Sequence, residues 1–125
     1  MIESATAHAT IAVTDIDRAK KFYGEILGLN AREERSDGVI YAAGGGTWFL
    51  VYPSQFAGTN KATCMTFEVQ DLDGTVKELR DRGVVFEEYD FPGLKTVDGI
   101  AEIQGERGAW FKDPDGNILA VGQRT

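Results

Sequence analysis

Apolar residues along this chain change their spacing twice in the same way. A strand-like run, Thr10-Ile11-Ala12-Val13, passes through Asp15 into apolar positions Ile16, Ala19, Tyr23, Ile26 and Leu27, three or four residues apart. Alternation marks a strand with one buried face; the longer spacing marks a helix with one buried stripe. The pattern then returns 56 residues later: Thr10-Ile11-Ala12-Val13-Thr14-Asp15-Ile16-Asp17 is matched by Thr66-Phe67-Glu68-Val69-Gln70-Asp71-Leu72-Asp73, and Leu72, Val76 and Leu79 form the second stripe. Asp15 and Asp71 stand where a side chain caps the free amides of a first helical turn, and Asp17 and Asp73 add negative charge at the positive end of the helix dipole. Gly28 and Gly83 follow the stripes where a left-handed residue ends a helix.

Three strand-like runs follow each helix, at 29–35, 39–43 and 47–52 in the first half and at 84–91, 108–112 and 117–122 in the second. Ser36-Asp37-Gly38, Gly44-Gly45-Gly46 and Asp113-Pro114-Asp115-Gly116 are the turns between them. The pattern predicts an α+β fold of two tandem βαβββ modules: module one at about 5–53, a linker at about 53–61, module two at about 62–124, all one domain. A four-stranded sheet covered by one helix leaves its other face bare, so the two modules are expected to pack together. The Gly-containing stretch 92–107 has only a three-residue turn as its counterpart in module one, and is expected to be a long loop, either functional or a mobile surface insertion.

Composition narrows the function. Thirteen Lys and Arg against twenty Asp and Glu leave a formal charge of −7, the opposite of the basic face that nucleic acid or an anionic membrane surface requires. No window is long and apolar enough for a membrane helix, and residues 1–8 carry no basic region ahead of an apolar stretch, so no signal peptide is expected. A single cysteine, Cys64, rules out an internal disulfide and fits a reducing compartment, so a cytoplasmic location is expected.

Four motifs in order carry a resemblance: His8 through Asp15; Phe22-Tyr23-Gly24-Glu25-Ile26-Leu27-Gly28; Val69-Gln70-Asp71-Leu72; and Phe111-Lys112-Asp113-Pro114-Asp115-Gly116-Asn117. On a doubled βαβββ pattern they resemble the vicinal oxygen chelate superfamily, which includes glyoxalase I, bleomycin-resistance proteins, thiol-transferring fosfomycin-resistance enzymes and extradiol dioxygenases. The resemblance implies paired modules forming a cupped mixed sheet around a cavity, and commonly a homodimer. It also implies a divalent metal held by the first and fourth strands of each module, acting as a Lewis acid on two substrate oxygens. Read position by position, His8 matches a ligand, whereas Leu50, Cys64 and Ala120 stand where the metalloenzymes carry the others. His8 with a Cys64 thiolate makes two ligands, short of the three of a catalytic zinc site. Glu68, four residues beyond Cys64, lies ~13 Å away along a strand, too far to share one ion. No metal or other cofactor is therefore expected.

The expected cavity is apolar and aromatic. Strand alternation sends His8, Thr10 and Ala12 inward, with Trp48, Leu50 and Tyr52, with Cys64, Thr66 and Glu68, and with Ile118, Ala120 and Gly122. Met65, Phe67 and Val69 go to the core, while the faces of Tyr41 and Trp110 are not assigned. The candidate ligand-binding residues are His8, Thr10, Trp48, Leu50, Tyr52, Cys64, Thr66, Glu68, Ile118 and Ala120. His8 reads as a structural or vestigial histidine, a ligand contact or a general base; Cys64 as an inert thiol or a nucleophile. Trp48 and Tyr52 read as core filling or as stacking surfaces. Glu68 reaches solvent at the rim, pairs with Arg107 or Lys95, or meets a cationic ligand. The leading expectation is a metal-independent protein of the bleomycin-resistance type that sequesters a small, partly aromatic molecule, a cationic one being favoured weakly by the charge of −7. The alternatives are an enzyme of the same superfamily with an atypical site at His8, Cys64 and Glu68, and a subunit serving a protein partner.

Overall fold

The computed structural model describes residues 1–124 as two compact units, one spanning Met1–Ala57 and the second beginning at Gly58. The first holds strands β1 (Ala9–Val13), β2 (Asn30–Arg35), β3 (Gly38–Ala42) and β4 (Trp48–Pro53) in the order β1-β4-β3-β2. The second holds β5 (Thr63–Glu68), β8 (Ile100–Ile103), β9 (Glu106–Lys112) and β10 (Ile118–Arg124) in the equivalent order β5-β10-β9-β8, with a small hairpin of β6 (Asp90–Phe91) and β7 (Leu94–Lys95) between helix and sheet. Both four-stranded sheets are mixed: β1 runs parallel to β4 and β5 parallel to β10, and the other pairs are antiparallel. This is the tandem βαβββ arrangement that the repeat predicts. Among the described residues no helix is long and apolar enough to cross a membrane.

Each helix begins at the expected aspartate. The Asp15 carboxylate accepts the Asp17 and Arg18 amides at 3.0 and 3.2 Å, and that of Asp71 accepts the Gly74 amide at 3.0 Å. Helix α1 (Ile16–Lys20) widens into a π-helical segment at Lys21–Ile26, where the Leu27 amide reaches back five residues to the Phe22 carbonyl. The wider turn buries Phe22 and Tyr23 in succession, while Ile26 and Leu27, expected on the buried stripe, are only half-buried. Helix α2 (Leu72–Asp81) keeps its expected stripe of Leu72, Val76 and Leu79 inside. Gly28 and Gly83 end the helical segments at φ +75° and +97°.

The cores lie between helix and sheet. In the first unit Ile11, Val13, Tyr41, Phe49 and Val51 are buried, and the rings of Tyr23, Tyr41 and Phe49 meet at 5.7–5.9 Å. In the second, Phe86 and Phe111 meet edge to face at 5.5 Å beside Ala109, Leu119 and Val121. Met65, Phe67 and Val69 are half-buried.

The second unit departs from expectation after its helix. To the four-stranded sheet the strand expected at 84–91 contributes only a bridge from Phe86 to Phe111 and the Glu87 amide donating to the Trp110 carbonyl at 2.8 Å, and its end, Asp90–Phe91, is β6 of the small hairpin. The rest of that edge of β9 is taken by β8, within the expected loop 92–107. Three signals organise this stretch. Pro92-Gly93, with Gly93 at φ +85°, closes the β6–β7 hairpin. Gln104-Gly105, both at positive φ, closes β8 onto β9 as a two-residue hairpin turn. The buried Thr96 hydroxyl accepts the Tyr89 amide at 2.8 Å and donates to the Glu88 carboxylate, which also accepts the Gly99 amide at 3.0 Å.

Candidate functional site

On the face of the first sheet away from its helix, register brings the expected residues together in rows. Thr10 lies beside Leu50 and Ala12 beside Tyr52. His8, one residue before β1, stacks on Trp48 with ring centroids 3.7 Å apart and an interplanar angle of 24°. Trp48, Leu50 and Tyr52 are half-buried, and His8 and Thr10 exposed. The face assignments for β1 and β4 therefore hold. Of the two metal-ligand positions in this unit, only His8 carries a donor atom, and its ring lies against an indole.

On the matching face of the second sheet, Thr66 pairs with Ala120, which pairs with Trp110; Glu68 pairs with Gly122, which pairs with Gly108. Trp110 thus belongs to the open face, and its indole leans along β9: a Cβ on Gly108 would stand 3.4 Å from the ring. Tyr41, in contrast, is core.

Cys64 needs correction. The register between β5 and β10 slips between Ile118 and Leu119, so that Thr63 partners Ile118 and Met65 partners Leu119, leaving Cys64 as the extra residue of a bulge. Thr63, not Cys64, takes the open-face place, and the Cys64 thiol donates to the Ile118 carbonyl at 3.3 Å. Burial pushes the thiol pKa up and the Asp113 carboxylate adds to it, the reverse of what a nucleophile or thiolate ligand requires. With Ala120 supplying no donor, the ligand positions of this unit offer no set fitted to a divalent ion. Among the described residues no three His, Cys, Asp or Glu side chains are grouped closely enough to hold one.

Glu68 is exposed and pairs with Arg124, at 3.2 Å, which also reaches Glu106. Neither Arg107 nor Lys95 takes it. Arg107 stands opposite Gln123, and both reach the start of α2: the guanidinium holds Asp73 with bonds of 3.0 and 2.8 Å, and the Gln123 amide oxygen accepts the Leu72 N–H at 2.8 Å. The guanidinium also holds the Asp73 carboxyl below the usual carboxylate range.

Besides a concavity of about 300 Å³ bounded by Thr66, Glu68, Arg107 and Arg124, two more open on this face. One, about 250 Å³, is bounded by Thr63, Thr66, Ala120 and Trp110 with Ala101 and Ile103 of β8. The other, about 360 Å³, lies between Trp110, Ile118 and Thr63 on the sheet and Tyr89, Phe91 and Leu94 beside it, with Lys61, Glu87 and Lys112 at its margin. Ile118 borders the larger of these two and Ala120 the smaller. Sequence reasoning missed Lys61, Thr63, Glu87, Tyr89, Phe91, Leu94, Trp110 and Lys112. The signal for three of them was the alternation of Val84 and Phe86, both buried, against Glu87, Tyr89 and Phe91.

The comparisons with known proteins bear on the whole chain. A family profile described as Glyoxalase/Bleomycin resistance protein/Dioxygenase superfamily matches residues 5–121. No curated protein matches the sequence. Similar solved structures include UcmS2 (19% identity, 95% of this chain and 97% of that one, TM-score 0.76) and TnmS3, an antibiotic binding protein from Streptomyces sp. CB03234 (22%, 98% and 98%, 0.73). The fosfomycin resistance protein FosX from Listeria monocytogenes is similar at 17% identity, over 98% of this chain and 94% of that one, with a TM-score of 0.71.

Proposed function

The chain belongs to the Glyoxalase/Bleomycin resistance protein/Dioxygenase superfamily, and from that premise we propose that it is a metal-independent small-molecule-binding protein that holds or sequesters a small, partly aromatic ligand in the sheet cavity. The observation that carries this reading is the chemistry at the four positions where the superfamily's enzymes hold their metal. Leu50 and Ala120 offer no donor atom, Cys64 is bulged with its thiol on a carbonyl, and His8 lies on Trp48. Half-buried apolar and aromatic groups with few polar ones are the lining of a small-molecule pocket. The names of TnmS3, an antibiotic binding protein, and FosX, a fosfomycin resistance protein, support small-molecule recognition on this fold. The ligand contacts are proposed to include, on the first sheet, His8, Thr10, Trp48, Leu50 and Tyr52 and, on the second, Thr66, Glu68, Ile118 and Ala120, in a homodimer.

Titration calorimetry of chelator-treated protein against a panel of aromatic compounds and metabolites tests the reading. Binding that is unchanged by adding zinc, nickel, manganese or iron is expected. Heat that appears only with the metal, or stoichiometric metal retained at His8 in protein purified without chelator, overturns it.

A further inference from the structure

We propose that the second unit takes a planar aromatic acid into the corner between Trp110, Tyr89 and Phe91, with the Lys61 ammonium receiving the negative charge. This rests on the small-molecule reading above and adds to it the class of ligand and the place where it sits.

The rings come first. Tyr89 meets Trp110 edge-on at 5.7 Å and 73°, and Phe91 at 5.8 Å and 56°. Neither pair is a parallel stack, so in neither do both rings cover each other's faces, unlike the first unit, where the His8 ring lies flat on Trp48 at 3.7 Å. Phe91 stands 53% exposed on the β6–β7 hairpin, a large apolar surface left to water unless a guest covers it. The buried Thr96 bonds the Tyr89 amide and the Glu88 carboxylate, which fastens the backbone beside these rings. A concavity of about 360 Å³ suits a ring system of two or three fused rings.

Charge then selects the substituent. Three ionic side chains line the corner: Lys61, Lys112 and Glu87. Glu87 is already paired with Lys112 at 3.4 Å. Lys61 has no ion pair or hydrogen bond from its side chain among the described residues. The uncompensated charge here is therefore positive, in a chain whose total is −7. An aromatic cation would gain from the ring faces but would sit against two ammonium groups, whereas an aromatic anion gains from both the rings and Lys61. Burial and the Glu87 carboxylate push the Tyr89 phenol up, so it stays neutral and able to donate to an acid.

The test uses three probes of one shape, 2-naphthoate, neutral 2-naphthamide and (2-naphthyl)methylammonium, titrated into the whole protein by calorimetry. The anion is expected to bind about fivefold tighter than the amide, with the ammonium weakest, and added salt should narrow the gap. Lys61→Gln should erase the preference for anion over amide while leaving amide affinity unchanged. Phe91→Ala, at an exposed position that does not threaten folding, should weaken anion and amide alike. A tighter ammonium, a preference that survives Lys61→Gln, or affinities indifferent to Phe91→Ala overturns the proposal. If the three naphthyl probes are silent while other aromatic compounds bind, this corner is wrong and the small-molecule reading stands; if every compound is silent, both fall.

Discussion

The two units open with the same eight-residue pattern and the same aspartate cap, and they build the same order of strands, yet they diverge after the helix. In the first, β2 pairs with β3 from Asn30 to Arg35, with one register shift between Ala31 and Glu33, and a two-residue turn, Ser36-Asp37, joins them. In the second, the corresponding edge of β9 is divided: Phe86 and Glu87 take one end, β8 the other, and the chain between them folds into the β6–β7 hairpin. The consequence appears on the open faces. One indole is covered by an imidazole; the other borders a concavity walled by two further rings. Strand order follows from the repeated apolar pattern, while the particular chemistry of each face follows from what the chain hangs on one sheet edge. Duplicate frames can therefore carry different sites.

Core substitutions probe whether the frames are energetically equivalent. Phe111 is fully buried against Phe86 on β9, and Tyr41 occupies the corresponding strand of the first unit, against Tyr23 and Phe49. Phe111→Ala and Tyr41→Ala should each cost about 3–5 kcal/mol through lost transfer energy and a residual cavity, read from urea unfolding midpoints. A large loss in one and a loss below about 1 kcal/mol in the other breaks the equivalence. The turns before the last strands separate the units next. Asp113 is 4% exposed, and its carboxylate accepts the amides of Asp115 and Asn117, both at 2.9 Å, and the Asn117 side chain at 2.7 Å. The first unit turns instead on Gly44-Gly45-Gly46, with Gly45 at φ +67°. Asp113→Ala should cost about 2–3 kcal/mol, because it strands buried donors; an unchanged midpoint would mean the turn closes without its carboxylate.

Most of the frame was legible in the sequence because it is written in short-range signals. Alternation placed Ile11 and Val13 inside, the two aspartates capped their helices, and Asp113 through Asn117 announced a tight turn. Three things were not legible. A bulge is a pairing event between β5 and β10, and nothing local to Cys64 distinguishes a regular strand from one with an extra residue. The π-helical turn that buries Phe22 shifts a stripe that looked regular at α-helical spacing. The Gln104-Gly105 turn puts a glutamine at φ +51°, a conformation more usual for Asn or Asp, so β8 lay hidden inside an apparent loop. For the candidate site, strand positions on β1, β4 and β10 could be read, whereas the rings at Tyr89 and Phe91 required knowing where the edge of β9 was shared.

The hairpin has no equivalent in the first unit, and Thr96 is its fastening. Thr96→Val should cost about 1–2 kcal/mol by leaving the Tyr89 amide without its side-chain acceptor, with faster hydrogen exchange at Tyr89 and Gly99 and none at β2–β3. Acid should act on the same point. The Thr96 hydroxyl, then the Gly99 amide, hold the Glu88 carboxyl below its ordinary range. A lowered carboxyl pKa means that the contribution is complete above the ordinary glutamate value and disappears as pH falls through the lower folded value. Protection at Gly99 should thus weaken in acid below the usual glutamate range, and Thr96→Val should flatten that dependence. Equal acid sensitivity at the Ser36-Asp37 turn would remove the contrast.

The smallest effect expected belongs to His8. Its ring is exposed on one side and lies on Trp48 on the other, so His8→Ala forfeits a stacking contact of about 0.5–1 kcal/mol and creates no buried cavity. What should change is the surface: with the imidazole gone, the Trp48 face that it covers becomes open. If coverage of the indole is what separates the two faces, His8→Ala should strengthen naphthyl binding at the first unit and leave the Phe91-dependent binding of the second untouched. Calorimetry in the His8→Ala, Phe91→Ala double variant isolates the new site, because the second unit's contribution has been reduced. Failure of the double variant to bind more tightly than Phe91→Ala alone would mean that the imidazole is not what closes the first face, and that the strand rows Thr10–Leu50 and Ala12–Tyr52 are too flat to hold a guest without walls.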